Sequence, residues 1–216
     1  MEFARIWSGN FRNDIRASCI LQVMQGNLFG DISARPLVFV DIETTGSAPW
    51  NSRMLEIGAI RVENGKSVAH YSQVLDPEES VPGWITQLTG IRPDETRGKP
   101  LFADVTDKLA ELFDGAVFVA HNVNFDYGFF KDEFRRTGQK FAMDKLCTVR
   151  LSRALFPAEK SHRLDEVIRR GGYKIANRHR AYDDAEVLYK FYHEHLERLG
   201  ADTFYPVAGR LVQPAA

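Results

Sequence analysis

Residues 37–46 read Leu37-Val38-Phe39-Val40-Asp41-Ile42-Glu43-Thr44-Thr45-Gly46. The unbroken apolar run from Leu37 to Val40 is the pattern of a strand buried on both faces. Side chains two apart on a strand point the same way, so Asp41 and Glu43 project together from one face. Two like charges at the edge of a core repel and are costly to desolvate unless a cation lies between them. An isolated pair of this kind is also what a strand ending in a solvated acidic turn would show. The rest of the chain decides between the two.

Downstream, Met54 to Val62 and Ser67 to Leu75 are apolar-rich runs joined at Glu63-Asn64-Gly65-Lys66. Asn-Gly between such runs predicts a β-hairpin. Helical pieces are expected at Trp84 to Leu88, stopping at Thr89-Gly90, and at Leu101 to Phe113, stopping at Asp114-Gly115. A second buried strand is expected from Ala116 to Ala120 and a helix from Phe125 to Arg136. Leu146 to Leu155 reads as a short strand or helix, and Leu164 to Arg170 and Ala181 to Leu199 as helices. Strand, hairpin and then alternating helices and strands define an α/β fold, a mixed sheet flanked by helices.

Two further stretches carry acids in buried contexts. In Ala120-His121-Asn122-Val123-Asn124-Phe125-Asp126, Asp126 lies in the first turn of a helix that Asn122 or Asn124 is placed to cap. The helix dipole alone could explain an acid there. However, Phe129 and Phe130 share its face, and no basic residue on that face partners it. In Asn177-Arg178-His179-Arg180-Ala181-Tyr182-Asp183-Asp184, helical phase separates the two acids. Asp184 aligns with Val187, Leu188, Phe191 and His195, whereas Asp183 aligns with Glu186, Lys190 and His193. Asp184 is therefore the candidate and Asp183 the bystander. His179 is five residues before Asp184 and belongs in the loop leading into the helix. His121 reads as a strand-end histidine satisfied locally, and the other four histidines have no constellation around them.

With 28 basic and 29 acidic residues among 216, the net charge is −1, and bulk electrostatics do not announce a nucleic-acid binder. The local clusters Arg135-Arg136, Arg169-Arg170 and Arg178-His179-Arg180 fit either a solvated face or a polyanion contact. Cys19 and Cys147 are too few for a disulfide framework and lack metal-ligand spacing. The charged N-terminal stretch and the absence of a spanning apolar run make the cytoplasm the expected location. Three parts are expected: an arm over residues 1–35, a catalytic domain over 36–200, and a loosely packed tail over 201–216.

In order, D-x-E-T-T-G, A-H-N-x-x-F-D and H-x₄-D-A resemble the DEDD-type 3′→5′ exonucleases of the histidine subtype. That family includes the proofreading epsilon subunit of bacterial DNA polymerase III and its stand-alone relatives. The likeness runs from about Pro36 to Leu199 and takes in Glu56-Ile57-Gly58-Ala59-Ile60 and Leu88-Thr89-Gly90-Ile91. It implies a ribonuclease H-like fold and two divalent cations, Mg²⁺ or Mn²⁺, about 4 Å apart. The ligands would be Asp41 (bridging), Glu43, Asp126 and Asp184, with His179 as general base. The Thr44-Thr45 backbone and Leu88-Thr89-Gly90-Ile91 would grip the terminal nucleotide, with Phe125 packing nearby. Ser47 to Arg53 is less typical of the family. The implied activity is release of nucleoside monophosphates from single-stranded DNA 3′ ends in proofreading or repair. RNA trimming is the alternative with the same residues, and a non-catalytic adaptor the reading from another class. In the arm, Gln25, Leu28 and Phe29 resemble the Q-x-x-L-F peptide by which bacterial DNA enzymes dock on the sliding clamp, which makes a clamp or DNA polymerase the expected protein partner.

Overall fold

The structure, a computed structural model, describes residues 32–215. Five strands form one mixed sheet in the order β3-β2-β1-β4-β5: β1 (Leu37–Thr44), β2 (Met54–Glu63), β3 (Lys66–Val74), β4 (Val117–Ala120) and β5 (Lys145–Cys147). Strand β1 runs antiparallel to β2 and parallel to β4, and β4 runs parallel to β5. The β2–β3 hairpin turns at Asn64 and Gly65, with φ of 51° and 73°. Both values are the left-handed conformations that made Asn-Gly informative.

The alternation within β1 sorts the core into two layers. Val38, Val40 and Ile42 face one layer, with α3 (Phe102–Phe113) and α4 (Asn124–Arg136). Leu37 and Phe39 face the other, with α5 (Thr148–Leu155), α6 (Leu164–Gly171), α7 (Ala181–Leu199) and α8 (Ala201–Leu211). Two short helices, α1 (Gly83–Thr89) and α2 (Pro93–Thr96), lie between β3 and α3. Helix α1 ends at Gly90 in the left-handed conformation, φ 75°, as the Thr89-Gly90 stop implied. The stretch read as strand or helix is both, with β5 passing directly into α5.

The tail differs from its expectation. Residues 201–211 form helix α8, and Phe204 and Ala208 are fully buried. Phe204 meets the Tyr192 ring edge-on at 4.8 Å. Beyond α8, Gln213 exchanges backbone hydrogen bonds with Lys145 on β5. Pro206 masks the helical pattern, but it costs only one backbone bond near the first turn, while Phe204 and Ala208 (four apart) put an apolar stripe on α7. Ile32, assigned to the arm, is buried in the same layer. The clamp-like residues Gln25, Leu28 and Phe29 lie outside the described residues. Among the described residues no helix is long and apolar enough to cross a membrane.

Candidate active site

Strand β4 pairs with β1 only as far as Phe39↔Val119. Past that point the two strands part, and Asp41 and Glu43 project beyond the shared ladder on the α7 side, two and four residues on from Phe39. The crevice opens into a cleft of about 1160 Å³ whose lining includes Asp41, Glu43, His121, Asn122, Arg178, His179 and Asp184. Asp184, in the first turn of α7, is buried, as its phase with Val187 and Phe191 required. One oxygen of Glu43, one of Asp184 and a ring nitrogen of His179 lie within 4.8 Å of one another.

Asp126 comes from α4, behind the crevice, and is buried at 3% exposure without lining the cleft. No side chain caps this helix, contrary to the expectation for Asn122 or Asn124. Asn122 instead takes φ 60° in the turn, and Asn124 accepts a hydrogen bond from Lys145 Nζ at 2.9 Å. Asp126 is held by backbone N–H groups, including that of Ile42.

The electrostatics bind the four acids into one unit. Burial raises Asp41 well above the usual carboxylate range, and Asp126, Asp184 and Glu43 raise it further by repulsion. Burial, then Asp184 and Glu56, push Glu43 up to about 8. Asp126 and Asp184 are also raised, chiefly by burial. Among the described residues, Asp184 Oδ1 is buried without a hydrogen-bond partner. The one arginine among the described residues that reaches the cluster, Arg178, bonds Asp184 while shared with Asp165 at 2.7 Å. Four desolvated carboxylates with so little cationic compensation, one with an unused oxygen, fit a divalent cation. The all-oxygen acidic donors suit a hard ion of the Mg²⁺ or Mn²⁺ kind.

His179 precedes α7 in the loop, as expected, in the left-handed region at φ 64°. Its backbone N–H donates to Asp184 Oδ2 at 3.3 Å. Burial and then Arg178 lower its pKa, so at neutral pH the ring is uncharged and can accept a proton. Asp183 stays out of the cage but is not idle. Its carboxylate accepts from Asn177 N at 2.7 Å and Asn177 Nδ2 at 3.2 Å, tying down the His179 loop. His121 is only half satisfied, contrary to expectation. Its Nδ1 meets Thr148 Oγ1 at 3.0 Å, 27 residues on, while among the described residues Nε2 is buried without a partner, and burial pushes the ring down to about 4.

The residues expected to grip the nucleotide do not line this cleft. Thr45 is buried, with its N–H donated to Arg53 O and its hydroxyl bonded to Glu79. Thr44 Oγ1 bonds Gly46 O at 2.7 Å. Thr89 is spent on the end of α1, donating to Ile85 O and accepting from Ile91 N. Leu88 is half exposed on α1, and Phe125 is partly buried against Phe129.

Sequence reading gave no role to Glu56, Gly58 and Arg180, which position the site. Glu56 is 1% exposed and sits directly across from Glu43 in the β1–β2 ladder. Arg180 grips it with both Nε and Nη2, the latter at 2.7 Å, and Ala181 N adds a third donor. A Cβ on Gly58 would fall 2.2 Å from the Ala181 backbone. The start of α7 is thus seated on β2, which fixes the backbone between His179 and Asp184. The available signal was a charged residue inside the otherwise apolar first part of β2, Met54 to Ile60.

The mixed sheet with an acidic cage at the parting of β1 and β4 has the architecture of ribonuclease H-like exonuclease domains. Escherichia coli Exonuclease I in complex with a dT13 oligonucleotide superposes with a TM-score of 0.68 at 21% identity, over 76% of this chain and 42% of that one. Exonuclease X in complex with 5′ overhanging duplex DNA gives 0.60 at 20%, over 80% and 99%. A family model described as Exonuclease (RNase_T) matches residues 38–192, and the chain belongs to this family, in its DEDD 3′→5′ branch. The 3′-5′ exonuclease DinG of Bacillus subtilis is 37% identical over 164 residues, 75% of this chain and 18% of the relative. A PolC-type DNA polymerase III of Caldanaerobacter subterraneus is 34% identical over 179 residues, 83% of this chain and 13% of the relative. The chain therefore spans less than a fifth of these curated relatives.

Proposed function

We propose that the chain is a metal-dependent 3′→5′ exonuclease that releases nucleoside monophosphates from single-stranded DNA ends in proofreading or repair. The observation that carries this reading is the group of four desolvated carboxylates with His179 beside Glu43 and Asp184. Asp41 would bridge two cations, with Glu43 and Asp184 on one and Asp126 steadying the other. When bound, Mg²⁺ or Mn²⁺ ions supply an acidified water and neutralise charge on the attacking and leaving oxygens. His179 takes the proton from the attacking water, and its lowered pKa keeps it ready to do so at neutral pH. Arg180 and Glu56 hold the loop so that this base stays beside Asp184. DNA is favoured over RNA because the relatives are named as DNA polymerase and 3′-5′ exonuclease and the structural neighbours were solved with DNA. The Thr44-Thr45 backbone, Leu88 and Thr89 grip the terminal nucleotide with Phe125 packing nearby, and the cytoplasm is the location.

Matched 5′-labelled DNA and RNA strands incubated with Mg²⁺ or Mn²⁺ test the reading. Stepwise release of nucleotides from the 3′ end, faster on DNA and lost in Asp41→Ala, is the expected result. Activity surviving Asp41→Ala refutes the site. The arm adds a second proposal, docking of Gln25, Leu28 and Phe29 on a sliding clamp next to a polymerase. Purified clamp should bind the wild type and not Leu28→Ala/Phe29→Ala; equal binding by both would sink it.

A further inference from the structure

The cleft extends well beyond the cage. Its far wall is formed by the end of α5, the connection 156–163 and the start of α6, and carries Arg153, Lys160 and Arg163. One cleft of about 1160 Å³ takes in both this wall and the cage acids Asp41, Glu43 and Asp184. All three cations are exposed, and none has a carboxylate partner among the described residues. The acids at that end are already engaged, Asp165 by Arg178 at 2.7 Å and Glu159 by Arg170 at 3.6 Å.

The wall is built rather than loose. Arg170 lies over the Phe156 ring at 4.9 Å and donates to Ser152 Oγ and Ser161 O. His162 Nδ1 meets the same Ser152 Oγ at 2.8 Å. On α5, Val149 and Arg153 are four apart and both face the cleft. The connection is thereby fastened to both helices, and Lys160 and Arg163 are presented from a fixed backbone.

We propose that Arg153, Lys160 and Arg163 form a phosphate track that receives the strand behind its 3′ end, each side chain meeting one backbone phosphate. The proposal rests on the exonuclease reading, since the cage sets where the strand ends. Cations left unpaired on one wall, opposite a cage of acids in the same cleft, give a polyanion a direction: phosphates along the wall, terminal phosphodiester in the cage. Contacts of this type are independent of base identity and dependent on salt.

The test compares wild type with Arg153→Ala/Lys160→Ala/Arg163→Ala on two substrates. One is a 5′-fluorescein dT12 strand. The other is the p-nitrophenyl ester of thymidine 5′-monophosphate, which reaches only the cage. The expected result is a fall of about tenfold or more in kcat/KM on dT12, with the ester cleaved at the wild-type rate. The log–log salt dependence on dT12 should become shallower by about 2, three contacts at about 0.7 each. Arg153→Lys/Arg163→Lys, which keeps the charges, should retain the wild-type slope. Unchanged cleavage and slope in the triple variant would overturn the track, as would parallel loss on both substrates. If wild type cleaves neither substrate, the exonuclease reading fails instead. Anisotropy of labelled dT12 with Ca²⁺ then still judges the wall: weaker binding by the triple variant supports it and equal binding overturns it.

Discussion

The molecule withdraws two groups of acids wholly or partly from solvent and treats them in opposite ways. Glu56 and Glu133 are each 1% exposed, and each has arginines in place: Arg180 on Glu56, and Arg53 at 2.9 Å with Arg136 at 3.1 Å on Glu133. Backbone donors complete both, Ala181 N on Glu56 and Met54 N on Glu133. Among the described residues Asp41, Glu43, Asp126 and Asp184 have no cation beyond the shared Arg178, only backbone N–H donors on Asp126 and Asp184, and all four carboxyls are raised in pKa. A buried acid that only holds a fold together is given its cation by the chain. An acid left to repel its neighbours is awaiting a cation from outside. Glu43 and Glu56, facing each other across one ladder, put the contrast side by side.

Experiments that cross the boundary between the groups should give effects of decreasing size. Asp41→Ala removes the acid that all the others raise or are raised by, and nucleotide release should fall to background. His179→Ala removes the proton acceptor and should cost about 10²–10⁴ in kcat. Because burial lowers the His179 pKa below its ordinary 6.5, wild-type kcat should hold at pH 7 and fall only in acid. An unchanged rate in His179→Ala would show that the base lies elsewhere.

Glu56→Gln acts on the compensated group. It strands Arg180 and loosens the seat of α7. Arg180, 36% exposed, is left partly solvated rather than buried, so the loss should be about 1.5–3 kcal/mol by urea unfolding. Glu43→Gln, on the facing strand, should do the reverse in chelator. With its pKa near 8 folded against an ordinary 4.5, Glu43 binds its proton more tightly in the folded chain. Stability therefore declines as pH rises from about 4.5 to 8 and then levels. Removing that charge should raise Tm at pH 8 by about 2–4 °C, with little change at pH 4. Glu43→Gln and Glu56→Gln destabilising alike would erase the distinction between the two groups.

What was legible in the sequence was local. The alternation in β1, the Asn64-Gly65 turn, the phase that separates Asp184 from Asp183, and the loop position of His179 each depend on neighbours within a few residues. The compensation of Glu56 depends on Arg180, 124 residues away, and no short spacing records such a pairing. Helix α8 was hidden because Pro206 interrupts its pattern while its stability comes from Phe204 packing on Tyr192, a tertiary contact. The expected Asn caps failed because the turn at Asn122 is made by its backbone, and Asn124 turns its amide to Lys145. The Thr45 and Thr89 side chains serve the loops that carry them, a use that their place in a motif does not record.

Mn²⁺ titration followed by thermal unfolding, wild type beside Asp41→Ala, asks the central question directly. A cation that binds only the folded cage adds about 2.7 kcal/mol at a hundredfold excess over Kd. The account predicts a concentration-dependent rise in the wild-type Tm and none in Asp41→Ala. An equal rise in both proteins, or none in either, would contradict the claim that these four acids are held apart for a cation.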